Sequence, residues 1–510
     1  YYQSFGYDAY GNLTSECFSD VPKTEVLYSY DNYNRLIGYS FDKEQVHYHY
    51  DRPTGLLSKV DYGEWSFNYS RISGSNKLAQ MQARHKNKIV HSAARTYNSW
   101  GELESIGSYS YTLDSDGRRI GATLPDGRIW AYSYDGYGQI VGGILSDGPT
   151  QEASCQYAYD MIGNRLSSND NESMKQYTSN NLNQYTSING TNLTYDADGN
   201  LLSDGQFNYS YDALNQLVAV ENSTHKQVFQ YDFMGRRIAT ELYEKNGDEL
   251  KTTVRRRYIY HKWNVIAEFV GRTKDKTYIW GEDLSGTMQD AGGVGGLLVE
   301  CNSNGNYLPI YDGNGNIIAY KNLFGNTVAT YSYDPFGNII EHSGLNFSYN
   351  FSTKQKDDLC QLYYYGCRFY SAIKGSWATR DPLSEFGSVN LYNFTLNNPI
   401  SFIDYLGLQV DCDQLRKQMQ RLLQDINDYL KMEKELLDAM LDLNWHQHAQ
   451  AYAQLLVSVL SGGKSLIDAA RKAAAARNAA EAVKMGYEIG RNGMAHAKLL
   501  TLAERTRRGA

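Results

Sequence analysis

Apolar and polar positions alternate through most of the first 350 residues. Runs such as Phe207-Asn208-Tyr209-Ser210-Tyr211 and Thr330-Tyr331-Ser332-Tyr333 set aromatic side chains at every second place, with small polar residues between them. A period of two is that of a strand with one face against other protein and one face wetter. The runs close on one spelling: Tyr-Asp, two or three variable residues ending in Gly or Asn, then Leu, Ile or Val. It appears as Tyr7-Asp8 through Gly11-Asn12-Leu13, as Tyr195-Asp196-Ala197-Asp198-Gly199-Asn200-Leu201, and as Tyr333-Asp334-Pro335-Phe336-Gly337-Asn338-Ile339. Gly and Asn tolerate positive φ and the Asp side chain caps nearby amides, so each unit predicts a β-hairpin. Further copies start at Tyr30, Tyr50, Tyr134, Tyr159, Tyr211, Tyr231 and Tyr311, and neighbouring starts lie 23, 20, 25, 16, 20 and 22 residues apart. Such a period predicts a repeat architecture in which each hairpin edge pairs with the next. The spelling is irregular between Asn68 and Tyr109 and between Tyr243 and Leu298. Within the second stretch, the Gly-rich run Ala291 to Gly296 reads as a loop, without the spacing of a phosphate cradle.

Composition agrees: 45 Tyr and 45 Gly against 8 Pro among 510 residues suit tyrosine-rich strands and glycine turns. The first residue, Tyr1, already lies inside a repeat, so the sequence reads as a piece of something longer. The longest apolar stretch, Ala451 to Leu460, falls short of the about 20 residues of a membrane span. The 6 Cys are scattered without CxxC spacing, which argues against a disulfide scaffold or structural zinc. The chain carries a net charge of -8, yet from Gln409 onward 15 Lys+Arg face 12 Asp+Glu, so the repeats hold the acidic excess.

After Tyr349 the spelling changes. Phe351-Ser352-Thr353-Lys354 leads into Leu362-Tyr363-Tyr364-Tyr365-Gly366-Cys367-Arg368-Phe369-Tyr370, then Gly375-Ser376-Trp377-Ala378-Thr379-Arg380-Asp381-Pro382, Asn390-Leu391-Tyr392-Asn393-Phe394, Asn397-Asn398-Pro399 and Asp404-Tyr405-Leu406-Gly407-Leu408. Together with the Tyr-Asp units, this block resembles the Rhs/YD-repeat family and its Rhs repeat-associated core, the type found in polymorphic toxins and insecticidal toxin complex C components. The resemblance implies a mainly β fold. A YD-repeat sheet at 1–349 spirals into a hollow shell, a core with an autocleavage motif occupies 350–408, and a variable C-terminal domain at 409–510 is enclosed as effector.

The resemblance also implies a site. Asp381 and Asp404 correspond to an aspartyl-protease pair that cuts between Leu408 and Gln409, with Arg368 orienting a carboxylate or polarising the scissile carbonyl. Two carboxylates held close cannot both ionise easily, so one keeps a proton while the other activates water. Read from the residues alone, both aspartates are turn formers and Arg368 a structural partner. The family usually has Asp-Pro-x-Gly-Leu, whereas Tyr405 stands here in place of the proline that would fix φ, which bears on the efficiency of cutting.

Beyond Leu408 the texture becomes helical. Leu415, Met419, Leu422, Leu423, Ile426 and Leu430 open an amphipathic helix over 414–443, and an alanine-rich helix is predicted from Ser465 to Met485, making the tail all-α. His446 and His448 read as surface residues rather than metal ligands, and Gly462-Gly463-Lys464-Ser465 as a helix break with an N-cap. No cofactor or metal is indicated. From Lys464 to the end 10 basic residues face 4 acidic ones, a balance compatible with an anionic membrane or with nucleic acid as target. The partners implied are the chain's own effector, an immunity protein, and secretion-machinery or toxin-complex components. Delivery outside the producing cell follows from the resemblance alone. The alternatives are a non-toxic cell-surface or adhesion YD-repeat protein and an uncleaved shell-effector fusion.

Overall fold

The computed structural model describes residues 3–19, 24–247, 249–386 and 388–408. The chain divides into two units, Tyr1–Val410 and Asp411–Ala510. The helical tail expected over 409–510, with His446, His448 and the Gly462 to Ser465 break, lies outside the described residues.

The turn is the local unit from which the fold is built. In the copy at Asp334, the backbone N–H of Asp334 donates to Asn338 O (2.9 Å) and Gly337 N–H to Asp334 O (3.1 Å). The side chain finishes the turn: Oδ1 accepts from the amides of Phe336 and Asn338, each at 2.9 Å, and Oδ2 from Asn338 Nδ2 at 2.7 Å. Gly337 sits at φ 89°, so the unit is a type I turn closed by a left-handed residue. The same pattern recurs at Asp8, Asp31, Asp135, Asp160, Asp196, Asp212 and Asp232. Asn98 and Asn180 do the same work without a Tyr-Asp spelling.

Each hairpin carries a register shift at its tyrosine, as between Ser29 and Tyr30, Ser133 and Tyr134, and Ser332 and Tyr333. The shift turns that ring back along the sheet, and in several copies its hydroxyl reaches the previous unit. Tyr50 donates to Leu36 O at 2.8 Å, and Tyr231 to Leu217 O, Tyr311 to Leu297 O and Tyr333 to Ile317 O, each at 2.6 Å. In each case the acceptor opens the strand that leaves the preceding turn, so the repeats are bonded to one another by side chain as well as by ladder.

Among the described residues these hairpins build a 19-stranded sheet, from Gln3–Tyr7 to Thr191–Asn192, and a 14-stranded sheet, from Thr194–Tyr195 to Ile339–Gly344. Every strand in them pairs antiparallel with its neighbour in sequence, so the fold is mainly β, as expected. The stretches with irregular spelling are also strands: Leu78–His85, Lys88–Tyr97, Glu249–His261, Asn264–Val270 and Thr273–Trp280. The turn requires an Asx cap and a residue that accepts positive φ, and Tyr-Asp is only its commonest form. The sheets contact each other through Tyr48 OH on Trp280 O (3.1 Å), Arg71 on Glu282 (2.8 Å) and Arg236 on Glu16 (3.1 Å), and buried residues of both share one core.

Most Asx turns of both sheets join strands in the same sense of the up-and-down path and gather at one end of the strands, the Asn322 turn lying at the other, and residues 350–408 are seated at the first end. A second set of four short strands, Gln355–Lys356, Tyr363–Tyr364, Phe369–Ser371 and Ser376–Trp377, forms this cap's sheet. Its side chains donate to the carbonyls of the left-handed turn glycines. Thr353 binds Gly315 O (2.7 Å), Tyr392 Gly199 O (2.7 Å), Asn397 Gly163 O (2.8 Å), Tyr363 Gly337 O (3.2 Å) and Tyr364 Gly235 O (3.4 Å). Tyr370, Trp377 and Phe394 pack beneath, with Tyr370 and Phe394 stacked at 3.9 Å.

Two glycines separate backbone strain from crowding. A methyl group on Gly11 (φ 83°) meets nothing within 4 Å, whereas one on Gly337 lies 2.5 Å from the Phe351 ring. Gly11→Ala should cost about 1 to 2 kcal/mol for the left-handed backbone alone. Gly337→Ala should cost that plus about 1 to 3 kcal/mol of overpacking, read as a larger drop in the midpoint of denaturant unfolding.

Candidate active site

Arg368 lies on the hairpin between Tyr363–Tyr364 and Phe369–Ser371, closed by Tyr365 N–H on Arg368 O at 3.0 Å. Its side chain is 2% exposed and stacks over the Trp377 ring, 4.1 Å from the centroid. There it meets both predicted aspartates. Nη2 is 2.7 Å from Asp381 Oδ2 and 3.5 Å from Asp404 Oδ2. Nη1 donates to Leu391 O at 3.2 Å, and Nε donates to Gly407 O. A planar guanidinium suits this task because its donors point several ways from one buried point.

Each aspartate divides its two oxygens between a turn and the arginine. Asp381 Oδ1 accepts from Leu383 N–H at 2.9 Å. Asp404 Oδ1 accepts from Gly407 N–H at 2.7 Å and Leu408 N–H at 3.1 Å. Both aspartates thus cap turns and both face the same guanidinium. The structure brings Arg368, Asp381, Asp404 and Leu408 to one place, and Gln409 lies outside the described residues.

One guanidinium faces two carboxylates in this buried pocket. Burial pushes the Asp404 carboxyl up to about 6. Arg368 and the Gly407 and Leu408 amides oppose that rise, and the neighbouring Asp381 adds to it. Burial also raises Asp381, against the pull of Arg368. Arg368 itself is shifted down by burial.

A fourth ionisable group, Lys354, was not singled out by its spelling. It is 5% exposed, and Nζ donates to Tyr405 O at 2.6 Å and Gly292 O at 2.8 Å. Burial pulls its amine down to about 8, while Asp404, Asp283 and Cys367 favour the charged form. Gly292 belongs to the Gly-rich loop predicted from sequence. Asp283 ties that loop down, Oδ2 accepting from Ala291 N–H at 2.9 Å and Gly293 N–H at 3.1 Å. Among the described residues no cluster of three or more His, Cys, Asp or Glu side chains is arranged to hold a metal ion.

This architecture defines a YD-repeat β-sheet protein with an Rhs-type core. The Teneurin YD-shell family model matches residues 66–400, and the chain belongs to that family. It is 30% identical over 268 residues to the tRNA3(Ser)-specific nuclease WapA of Bacillus spizizenii, covering 49% of this chain and 11% of that protein. It is 29% identical over 106 residues to toxin subunit YenC1 of Yersinia entomophaga, covering 18% of this chain and 11% of that one. Among solved structures, a Photorhabdus luminescens Tc holotoxin pore matches with a TM-score of 0.55 at 16% identity, over 80% of this chain and 21% of that chain, a likeness of fold. These relatives support the Rhs/YD-repeat toxin family that the core block pointed to, and the chain spans only a small part of their length.

The buried amine gives a pH test. Below about 8 Lys354 is protonated in both folded and unfolded chains, so the cost of burying its charge is complete there. Between about 8 and 10.5 only the unfolded chain still holds the proton, so folded stability rises with pH. Compared with Lys354→Met, the unsubstituted chain should gain on the order of 3 kcal/mol across that window, measured as the difference between their denaturant unfolding curves.

Proposed function

We propose that this chain is the shell and core of an Rhs-type toxin. The YD sheet winds into a hollow shell, residues 409–510 are the enclosed effector, and the core cuts the chain once between Leu408 and Gln409. The observation that carries this reading is a single buried guanidinium within reach of two carboxylates, one of which holds the amides of Gly407 and Leu408, next to the bond to be cut.

The chemistry follows from the unequal surroundings. Asp381, paired with Arg368 at 2.7 Å, is the ionised partner and takes a proton from water as its oxygen attacks the Leu408 carbonyl carbon. Asp404, whose proton is held up to about 6, hydrogen-bonds the carbonyl oxygen and passes its proton toward the departing Gln409 nitrogen. The C–N bond breaks, leaving a Leu408 carboxylate and a free Gln409 amine, with one water consumed. Sequestration fits an effector that would harm its producer, and a cut chain frees it without further covalent chemistry. Toxin-complex or secretion components and an immunity protein are the partners this reading requires, with delivery to a target cell.

Two measurements test it. On a denaturing gel with intact-mass readout, the 57.8 kDa chain should split at Leu408–Gln409, while Asp404→Asn and Asp381→Asn stay whole or cut at least ~100-fold more slowly. Cleavage should also slow as pH rises through about 6, where Asp404 loses its proton. A wild-type chain that remains intact, or variants that cut normally, would remove the aspartyl assignment. Expression of residues 409–510 alone should arrest growth, and an inert tail would favour the non-toxic surface protein.

A further inference from the structure

We infer that Lys354 and the Gly292 loop form a clamp on the Tyr405 carbonyl, so that the core reads the segment before the cut through its backbone. Lys354 is then a positioning residue for the self-cleavage proposed above, on which this inference rests.

Three successive carbonyls are each held by a different part of the fold. Tyr405 O accepts from Lys354 Nζ at 2.6 Å, Leu406 O from Cys367 N–H at 2.9 Å, and Gly407 O from Arg368 Nε. The next two amides, of Gly407 and Leu408, are taken by Asp404. From 405 to 408 the chain is thus gripped by main-chain atoms, as an added strand is. At Gly407 the grip also constrains residue type, because its φ is 75° and a methyl group there would lie 3.1 Å from Arg368 Cβ.

Lys354 is well placed for this task and for no evident other. It follows the short turn Phe351–Thr353, its own N–H donating to Phe351 O at 3.0 Å, which fixes the base of the side chain. Both partners of its ammonium are carbonyls rather than a carboxylate, with the Tyr365 ring 5.3 Å away. Burying a cation to bind two main-chain oxygens is costly, and a structure needing only volume here would be served better by Leu or Met. The loop supplies the opposing jaw. Gly292 has φ 58°, and a methyl group on it would run into the Tyr405 carbonyl, so only glycine lets the loop come this close. Gly366 closes the third side, with 3.3 Å from a methyl there to the Leu406 side chain. These contacts supply the fixed geometry that a proline at 405 would otherwise give the family motif.

The test keeps the clamp and the chemistry apart. In an Asp381→Asn chain, which should remain uncut, hydrogen exchange followed by mass spectrometry should show the amides of 405–408 opening about tenfold faster in Lys354→Met and in Gly292→Ala, with the rest of the sheet unchanged. Unchanged exchange there overturns the clamp whatever happens to cleavage. If exchange rises but the wild-type chain never cuts, the clamp stands and the cleavage reading alone falls. With Asp381 restored, Lys354→Met should cut about tenfold more slowly after cell-free synthesis. Its alkaline limb should lie at higher pH, because Asp404 has lost a nearby cation while Arg368, Asp381, Asp283 and Cys367 remain around the site. A slower cut with an unmoved limb would reduce Lys354 to a packing role and overturn its assignment as a positioning residue.

Discussion

The carboxylate that closes each turn on itself is the interaction on which the rest of this protein depends. An Asx side chain that satisfies the amides two and four residues on leaves the fourth residue in the left-handed region and its carbonyl unspent. Repeated at one end of the strands, this yields a row of outward-facing glycine carbonyls. Thr353, Tyr363, Tyr364, Tyr392 and Asn397 bind five of them. Local turn chemistry therefore decides where the core block sits, and the core block decides where the buried charges meet.

That seating explains how an unfavourable constellation persists. Arg368, Lys354, Asp381 and Asp404 sit together with little access to water, and each alone would cost several kcal/mol to bury. Main-chain groups share the load: Arg368 and Lys354 donate to carbonyls of 292, 391, 405 and 407, and the aspartates accept amides of 383, 407 and 408. The charges are thereby tied to the backbone that they hold, so the site and the segment 405–408 are one hydrogen-bonded body.

Much of this was legible in the sequence. The alternation and the Tyr-Asp turns disclosed the hairpins, and the core block disclosed Arg368, Asp381 and Asp404 together. Asn98 and Asn180 escaped notice because the turn is set by an Asx oxygen and a positive-φ residue, while the tyrosine serves a different purpose, bonding the previous repeat. Lys354 escaped for another reason. Its partners at Gly292 and Tyr405 are 62 and 51 residues away, and no local period records such a meeting. The Gly-rich run was readable as a loop, but its closeness to Tyr405 comes from Asp283 drawing it down, a contact that only the fold creates.

The grip on residues 405–408 bears on the cleavage proposed above. The held atoms, the carbonyls of 405–407 and the amides of 407 and 408, all lie on the shell side of the Leu408–Gln409 bond. A cut there, as proposed, would place the new carboxylate beside Asp381 and Asp404, where Arg368 and Lys354 supply two positive charges. Under the proposed cleavage, none of these contacts would have to break for the chain to be cut after Leu408. Under that cleavage, the same hydrogen bonds would serve the intact chain and the cut one.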